Sequence, residues 1–224
     1  MSVDVIISYD GTSNDDDALA LGKMLSRGGF TLALAYVRHS HEFDPGREEL
    51  AQHDADQRLQ RGATLLGDPE ITRRVVVGAS TGAGLKQLAD SEGAKAIVFG
   101  SDYRTAPGHV EPGTSAQQLL DGGRVPVAIA AAGLRTQLEG AIKSIAVPLA
   151  GAANDAARTT AAALAEKLGA TVAESGSDPV DLIVVGSAPG APAGQIAVGG
   201  DVRNELDRAR GSVLILPAGA SVLP

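Results

Sequence analysis

Apolar residues along the chain fall in short blocks, separated by polar stretches with helical spacing. Residues 3–8 form the first such block, broken by Tyr9-Asp10-Gly11-Thr12-Ser13. From Ser13 the periodicity turns helical, with Ala18, Leu19, Leu21 and Leu25 on one pattern and Gly28-Gly29 as the stop. The alternation continues with strands predicted at 31–37, 71–78, 94–100 and 125–131, and helices at 47–66, 81–91 and 114–120. A loop rich in Gly and Pro, 101–113, separates the fourth strand from a short helix. Strands alternating with helices predict βαβ units, a parallel sheet and right-handed crossovers.

Residues 133–140 read as a linker, and the pattern then restarts. Strands are predicted at 142–149, 171–174, 181–186 and 212–216, with helices at 154–168 and about 201–209. Ala96-Ile97-Val98-Phe99-Gly100-Ser101 matches Leu182-Ile183-Val184-Val185-Gly186-Ser187, and Gly100 to Gly113 has the same spacing as Gly186 to Gly199. A strand, loop, helix and strand matched at equal spacing indicate an internal duplication. The copies are unequal, because only residues 175–180 stand where the first copy has a helix, a strand and a second helix. A parallel crossover normally takes a dozen residues or more. Residues 171–174 are therefore expected either antiparallel to their neighbours or outside the main sheet. The expected class is α/β: two tandem units of parallel open sheet flanked by helices, of Rossmann type. A complete unit spans 1–132, and a truncated unit of three or four strands spans 141–224.

Composition narrows the function. Aromatic residues make up 3% of the chain, so the core must be built from Ala, Val, Leu and Ile. The formal charge, 19 basic against 27 acidic side chains, is −8. That argues against nucleic acid as the main partner, since duplex binding needs a basic patch. It leaves room for a small anion held by backbone N–H groups. The absence of cysteine removes disulfides, thiolate catalysis and Cys-based zinc sites. The first residues carry no basic stretch followed by an apolar run, and no segment nears the ~18 apolar residues of a membrane helix. A cytoplasmic protein without membrane attachment is expected.

The loop after the fourth strand holds the most specific signal. Gly100-Ser101-Asp102-Tyr103, nine further residues and Gly113-Thr114 resemble the signature of the universal stress protein family: Gly, two residues, Gly, nine residues, then Gly with Ser or Thr. Asp10-Gly11-Thr12, after an apolar first strand, resembles the family's Asp-x-Ser/Thr turn. The resemblance covers residues 3–131 and, in broken form, 141–217. It implies a five-stranded parallel sheet with helices on both faces, similar to adenine-nucleotide α-hydrolase folds. It further implies ATP or AMP, with Mg²⁺, bound across the carboxyl ends of the strands. Tandem members pair their two halves as a pseudo-dimer, usually through the last strands, and two such chains can pair again as a homodimer.

On this reading Asp10 accepts from a ribose hydroxyl, and Val37 lies beside the base. Gly11 and Thr12 complete the turn. Gly100 and Gly113 let backbone N–H groups approach phosphate oxygens without a Cβ in the way. Thr114 and Ser115 supply hydroxyls at a helix N-terminus, where anions are favoured. Ser101, Arg104 and His109 share the loop, and Arg104 and His109 can bring charge to phosphates. One residue departs from the family pattern, because Tyr103 stands at its second glycine. A side chain there blocks close approach of backbone to phosphate, unless it stacks or hydrogen-bonds. The second copy departs further: Ala150 aligns with Asp10, Pro189 with Tyr103 and Gly200 with Thr114. It is expected to bind no nucleotide and to cover an apolar sheet edge of the first copy.

Other residues read more plainly. Asp15-Asp16-Asp17 suit the first turn of a helix rather than a metal, with Ser13 and Asp16 as the capping pair. His39 and His41 read as a solvated loop, and His53 as surface. Ser101 and Thr114 lie in no Gly-x-Ser-x-Gly elbow, and no P-loop is present. The expectation is an adenine-nucleotide-binding regulatory module rather than an enzyme. The alternatives are a stress protein that binds no nucleotide and acts through protein partners, or a slow nucleotide hydrolase.

Overall fold

The apolar blocks become strands of one sheet in the computed structural model, which describes residues 3–39, 44–148, 155–174 and 179–220. In chain order these are β1 (Val5–Ser8), α1 (Ser13–Ser26), β2 (Leu32–Arg38), α2 (Pro45–Leu66), β3 (Thr72–Val77), α3 (Thr81–Glu92), β4 (Ala96–Gly100), α4 (Thr114–Leu120) and β5 (Val127–Ala130). The rest are β6 (Ser144–Val147), α5 (Asp155–Leu168), β7 (Thr171–Glu174), β8 (Leu182–Gly186), α6 (Gly200–Arg208) and β9 (Ser212–Leu216). The sheet order is β3-β2-β1-β4-β5-β9-β8-β6-β7. Neighbours are parallel except β5 and β9, which are antiparallel. The expected α/β class with a parallel open sheet and helices on both faces is what forms.

Successive strand residues point to opposite faces, which builds two cores from one sheet. Val5, Ile7, Leu34 and Val98 pack with α1, α2 and α5. Ile6, Ala33, Ile97, Val127 and Ile129 pack with α3, α4 and α6. Strands buried on both faces explain why each block was continuously apolar rather than alternating. The near absence of aromatics is met by Ala, Val, Leu and Ile throughout, with Tyr9 the largest fully buried side chain.

The two halves repeat their hydrogen bonds as well as their sequence. Ser101 Oγ donates to the carbonyl of Ala130 at 2.7 Å and accepts from the N–H of Glu111 at 3.3 Å. Ser187 Oγ donates to the carbonyl of Leu216 at 2.7 Å and accepts from the N–H of Ala197 at 3.2 Å. Each residue of the second set follows its counterpart by 86 positions. At the same offset, Gly108 N–H donates to Ala132 O and Gly194 N–H to Ala218 O, both at 2.8 Å. Between the halves, Val127 faces Ile215, Ala128 faces Leu214 and Ile129 faces Val213. Under the offset Val127 corresponds to Val213 and Ile129 to Ile215. The β5–β9 pairing is therefore self-complementary about Ala128 and Leu214, as a two-fold interface is.

Three expectations are corrected. β7 lies inside the sheet at its edge and runs parallel to β6, Ser144 to Val147 pairing Thr171 to Glu174. The crossover from β6 to β7 contains α5, so that connection is an ordinary one. The short return from β7 to β8 is feasible because the strands are short. Seven residues reach about 23 Å when extended, whereas a four-residue strand is only about 13 Å long. Second, α1 is capped by Thr12 with Asp15, not by Ser13 with Asp16; the Thr12 side chain accepts from the Asp15 N–H, and the Asp15 carboxylate accepts from the Thr12 N–H at 2.9 Å. Third, the segment read as a linker carries a 3₁₀ turn at Leu134–Gln137 that docks on α1. There the carboxylate of Asp17, 2% exposed, accepts from the N–H groups of Gly133 and Arg135 and from the Arg135 guanidinium, at 2.7–2.9 Å. His41, Ala150, Asn154 and most of the 175–180 connection lie outside the described residues.

Candidate functional site: the carboxyl ends of β1 and β4

From β1 the chain proceeds to β2 on one side, and from β4 to β5 on the other. The sheet therefore has its switch point between β1 and β4, where open α/β sheets leave a crevice at the carboxyl ends of the strands. Asp10 follows β1 there, Val37 lies at the carboxyl end of β2, and Gly100 ends β4. The topology thus brings to one edge of the sheet residues that lie 90 positions apart in sequence.

The β1–α1 turn is held from several directions. Gly11 adopts φ +94°, open only to glycine at low cost. Arg58 of α2 donates to the carbonyl of Asp10 at 2.8 Å, and Arg61 donates to that of Gly11 at 3.3 Å. Arg58 also sits over the Tyr36 ring, 5.5 Å from its centroid. The Asp15 carboxylate accepts from the N–H groups of Asp10 and Thr12 and from the Thr12 hydroxyl at 2.7 Å. Burial, and then the hydrogen bond and charge of Asp10, push Asp15 up to about 7. Asp15 thus keeps its proton to near neutral pH. Below them the Tyr9 hydroxyl donates to Asp16 at 3.2 Å, and its burial beside that carboxylate raises it well above the ordinary phenol range. The residues missed from the sequence are Asp15, read there only as a helix-turn acid, and Arg58 and Arg61. The two arginines were legible only as an i, i+3 pair on one helix.

The remaining predicted residues divide. A Cβ on Gly100 would stand 2.0 Å from the carbonyl oxygen of Asn14, so this glycine is demanded by close packing of α1 on β4. Val37 is buried, its methyl group 2.8 Å from where a Cβ on Gly84 would stand. Thr12 spends its hydroxyl on Asp15, and Ser101 spends its own at the base of the loop. Gly113 caps α4 with open space around its Cα and no side-chain cap hydrogen bond. Thr114 is exposed and Ser115 half-buried. Tyr103 is 69% exposed, with the Arg104 guanidinium 4.9 Å from its ring centroid. Asp10, Gly100 and Val37 therefore share the strand ends, whereas the exposed Tyr103 ring stacks with the Arg104 guanidinium.

No group of three or more His, Cys, Asp or Glu among the described residues is placed to hold a metal ion. No helix among them is long and apolar enough to cross a membrane.

No family profile matches the chain, and no curated protein matches it. Solved structures do. A universal stress protein from Archaeoglobus fulgidus DSM 4304 is 17% identical, over 98% of this chain and 100% of that one, with a TM-score of 0.59. A putative universal stress protein from Pseudomonas aeruginosa UCBPP-PA14 is 14% identical, over 96% and 93%, at 0.55. A functionally unknown protein from Pseudomonas aeruginosa PAO1 matches at 14%, over 96% and 93%, at 0.56. The resemblance carried by the loop residues is thus met at the level of architecture: this chain has the fold of the universal stress proteins over nearly its whole length.

Proposed function

We propose that this is a tandem stress protein whose first domain, residues 1–132, binds an adenine nucleotide, ATP or AMP. The observation that carries the reading is the switch point between β1 and β4, flanked by Asp10 from one strand and the 101–113 loop from the other. Asp10 would accept from a ribose hydroxyl, and Val37 would face the base. The backbone at Gly113, with Thr114 and Ser115, would hold phosphate. Mg²⁺ would arrive with the phosphates. The second domain, residues 141–224, would bind none, since Pro189 and Gly200 replace Tyr103 and Thr114. Its part would be structural, and the self-complementary β5–β9 pairing supports an intramolecular pair. The role is regulatory rather than catalytic.

Calorimetric titration of the whole chain with ATP tests this. Binding is expected, and Asp10→Ala should weaken it about 10- to 100-fold, the cost of one hydrogen bond to a charged acceptor. No heat in the wild type, and no nucleotide mass with the purified protein, would remove the reading.

A second reading is favoured by the packing of Asn14 on Gly100, which gives that glycine a purpose without phosphate, and by the side chain at Tyr103. Here the chain binds no nucleotide and acts through protein partners. If Tyr103→Gly creates ATP binding that the wild type lacks, this second reading holds.

A further inference from the structure

The two-fold relation between the halves is broken where α4 and α6 end, and a cleft results. On one side, the turn after α4 reaches the second half's loop: Gly122 N–H donates to Ile196 O at 3.0 Å, and Ile196 N–H donates to Gly123 O at 2.7 Å. This closure depends on two glycines. Gly122 has φ +77°, and a Cβ on Gly123 would stand 2.0 Å from the Leu119 carbonyl. The corresponding residues of the second half are Arg208 and Ala209. There α6 continues to Arg208, two positions beyond the equivalent of α4's last residue, and no matching hydrogen bonds to Val110 form. A cleft of about 900 Å³ remains on that side, between the 104–112 loop, α4 and α6.

Its lining is built for a ligand of mixed character. Val110, Leu120 and Leu206 are buried apolar residues at its walls. Arg104 enters from the loop and Arg203 from α6, and neither makes an ion pair among the described residues. Glu111, Asp121 and Asp207 also line the cleft without an ion pair among the described residues. The hydroxyl of Thr105 on its wall is buried with no hydrogen-bond partner. A buried unpaired hydroxyl costs free energy. The second half has Ala191 at the corresponding position, so the loop folds without that hydroxyl. The same comparison sets Gly190, Gln195 and Ala197 against Arg104, His109 and Glu111. Arg104 and Glu111 thus belong to the open cleft rather than to the loop's fold, while His109 bonds Arg210 of the second half.

We propose that this cleft is a second ligand site, for a short peptide with free termini. Its volume falls in the range of small-molecule pockets. A simple anion would meet three carboxylates, and a simple cation would meet two guanidinium groups. A zwitterion answers both, its carboxylate toward Arg104 and Arg203 and its ammonium toward Asp121 and Asp207, with an apolar side chain on Leu120 and Leu206. The lining includes none of Asp10, Val37, Gly113, Thr114 and Ser115, so the proposal stands or falls apart from nucleotide binding.

The test is an NMR titration of the full chain with the tripeptide Ala-Leu-Ala. Saturable shifts are expected at the amides of Thr105 and Arg203. N-acetylated, C-amidated Ala-Leu-Ala should bind about tenfold more weakly or worse, as should the free peptide to Arg203→Ala, because charge-assisted hydrogen bonds are lost. Ala106→Trp, at an exposed wall position, should abolish the shifts while leaving thermal unfolding unchanged. Asp10→Ala should leave them intact. Absence of saturable shifts, or equal binding of free and capped peptide, overturns the proposal, whatever ATP does.

Discussion

At the scale of single residues, the most informative group is the Asp10–Asp15 pair. Asp15 caps α1 through Thr12, a role suited to a carboxylate, yet it is half-buried next to a second carboxylate. Burial, with Asp10 adding to it, outweighs the two bonds from Thr12 and lifts its pKa from 3.8 to about 7. An acid raised in the folded state stabilises the fold while protonated. Its contribution is full below about 3.8 and is lost as pH rises through about 7. Asp16 and Arg61 also face this corner. Asp15→Asn keeps an acceptor for Thr12 and cannot ionise. It should flatten the fall of stability between pH 4 and 7 in urea titrations. Parallel curves for variant and wild type would show that Asp15 is not the group responsible. The charge pattern was visible in the sequence; which of three adjacent aspartates caps the helix was not. A shift of one residue separates Thr12–Asp15 from Ser13–Asp16, and only the φ +94° turn at Gly11 decides it.

At the scale of elements, the stretch 133–140 shows how a polar run can be structure rather than linker. Asp17, buried on α1, takes three donors from it, two of them backbone N–H groups. Asp17→Ala would leave these donors without their acceptor and open a space beneath the 3₁₀ turn. A loss of about 2–4 kcal/mol is expected by chemical denaturation, with faster hydrogen exchange at Gly133 and Arg135. Unchanged exchange at those two amides would contradict the assignment. The same scale governs α4 and α6. Gly122 and Gly123 stop one helix early and let it touch the other half, while Arg208 and Ala209 prolong its counterpart. Helix positions were readable in both copies, but the consequence for the space between them was not.

At the scale of the whole molecule, the antiparallel β5–β9 contact joins two parallel sheets into one. Because its register is self-complementary, β5 could pair with a second β5 in the same way. A fragment of residues 1–140, which keeps the 3₁₀ turn on Asp17, exposes that edge with Val127 and Ile129. It is expected to dimerise at micromolar concentration in sedimentation velocity, and Ile129→Pro, which removes a donor on the edge that faces β9, should weaken the dimer. A fragment that stays monomeric would speak against this edge as a pairing surface.

The order of strands and helices, the two-copy organisation and the composition of the core follow from the chain's local pattern, because helix and strand periods are local properties and a buried parallel strand is apolar along its length. The family-like loop was equally legible, since its glycine spacing is contiguous. Only the tertiary structure decided which residues meet. It gave Gly100 to the Asn14 backbone, paired Asp10 with Asp15 and made β7 parallel. It also sealed one side of the two-fold relation while leaving the other open. Apart from the Asp10–Asp15 turn, each of these depends on distances between segments far apart in sequence, and the local pattern carries no information about them.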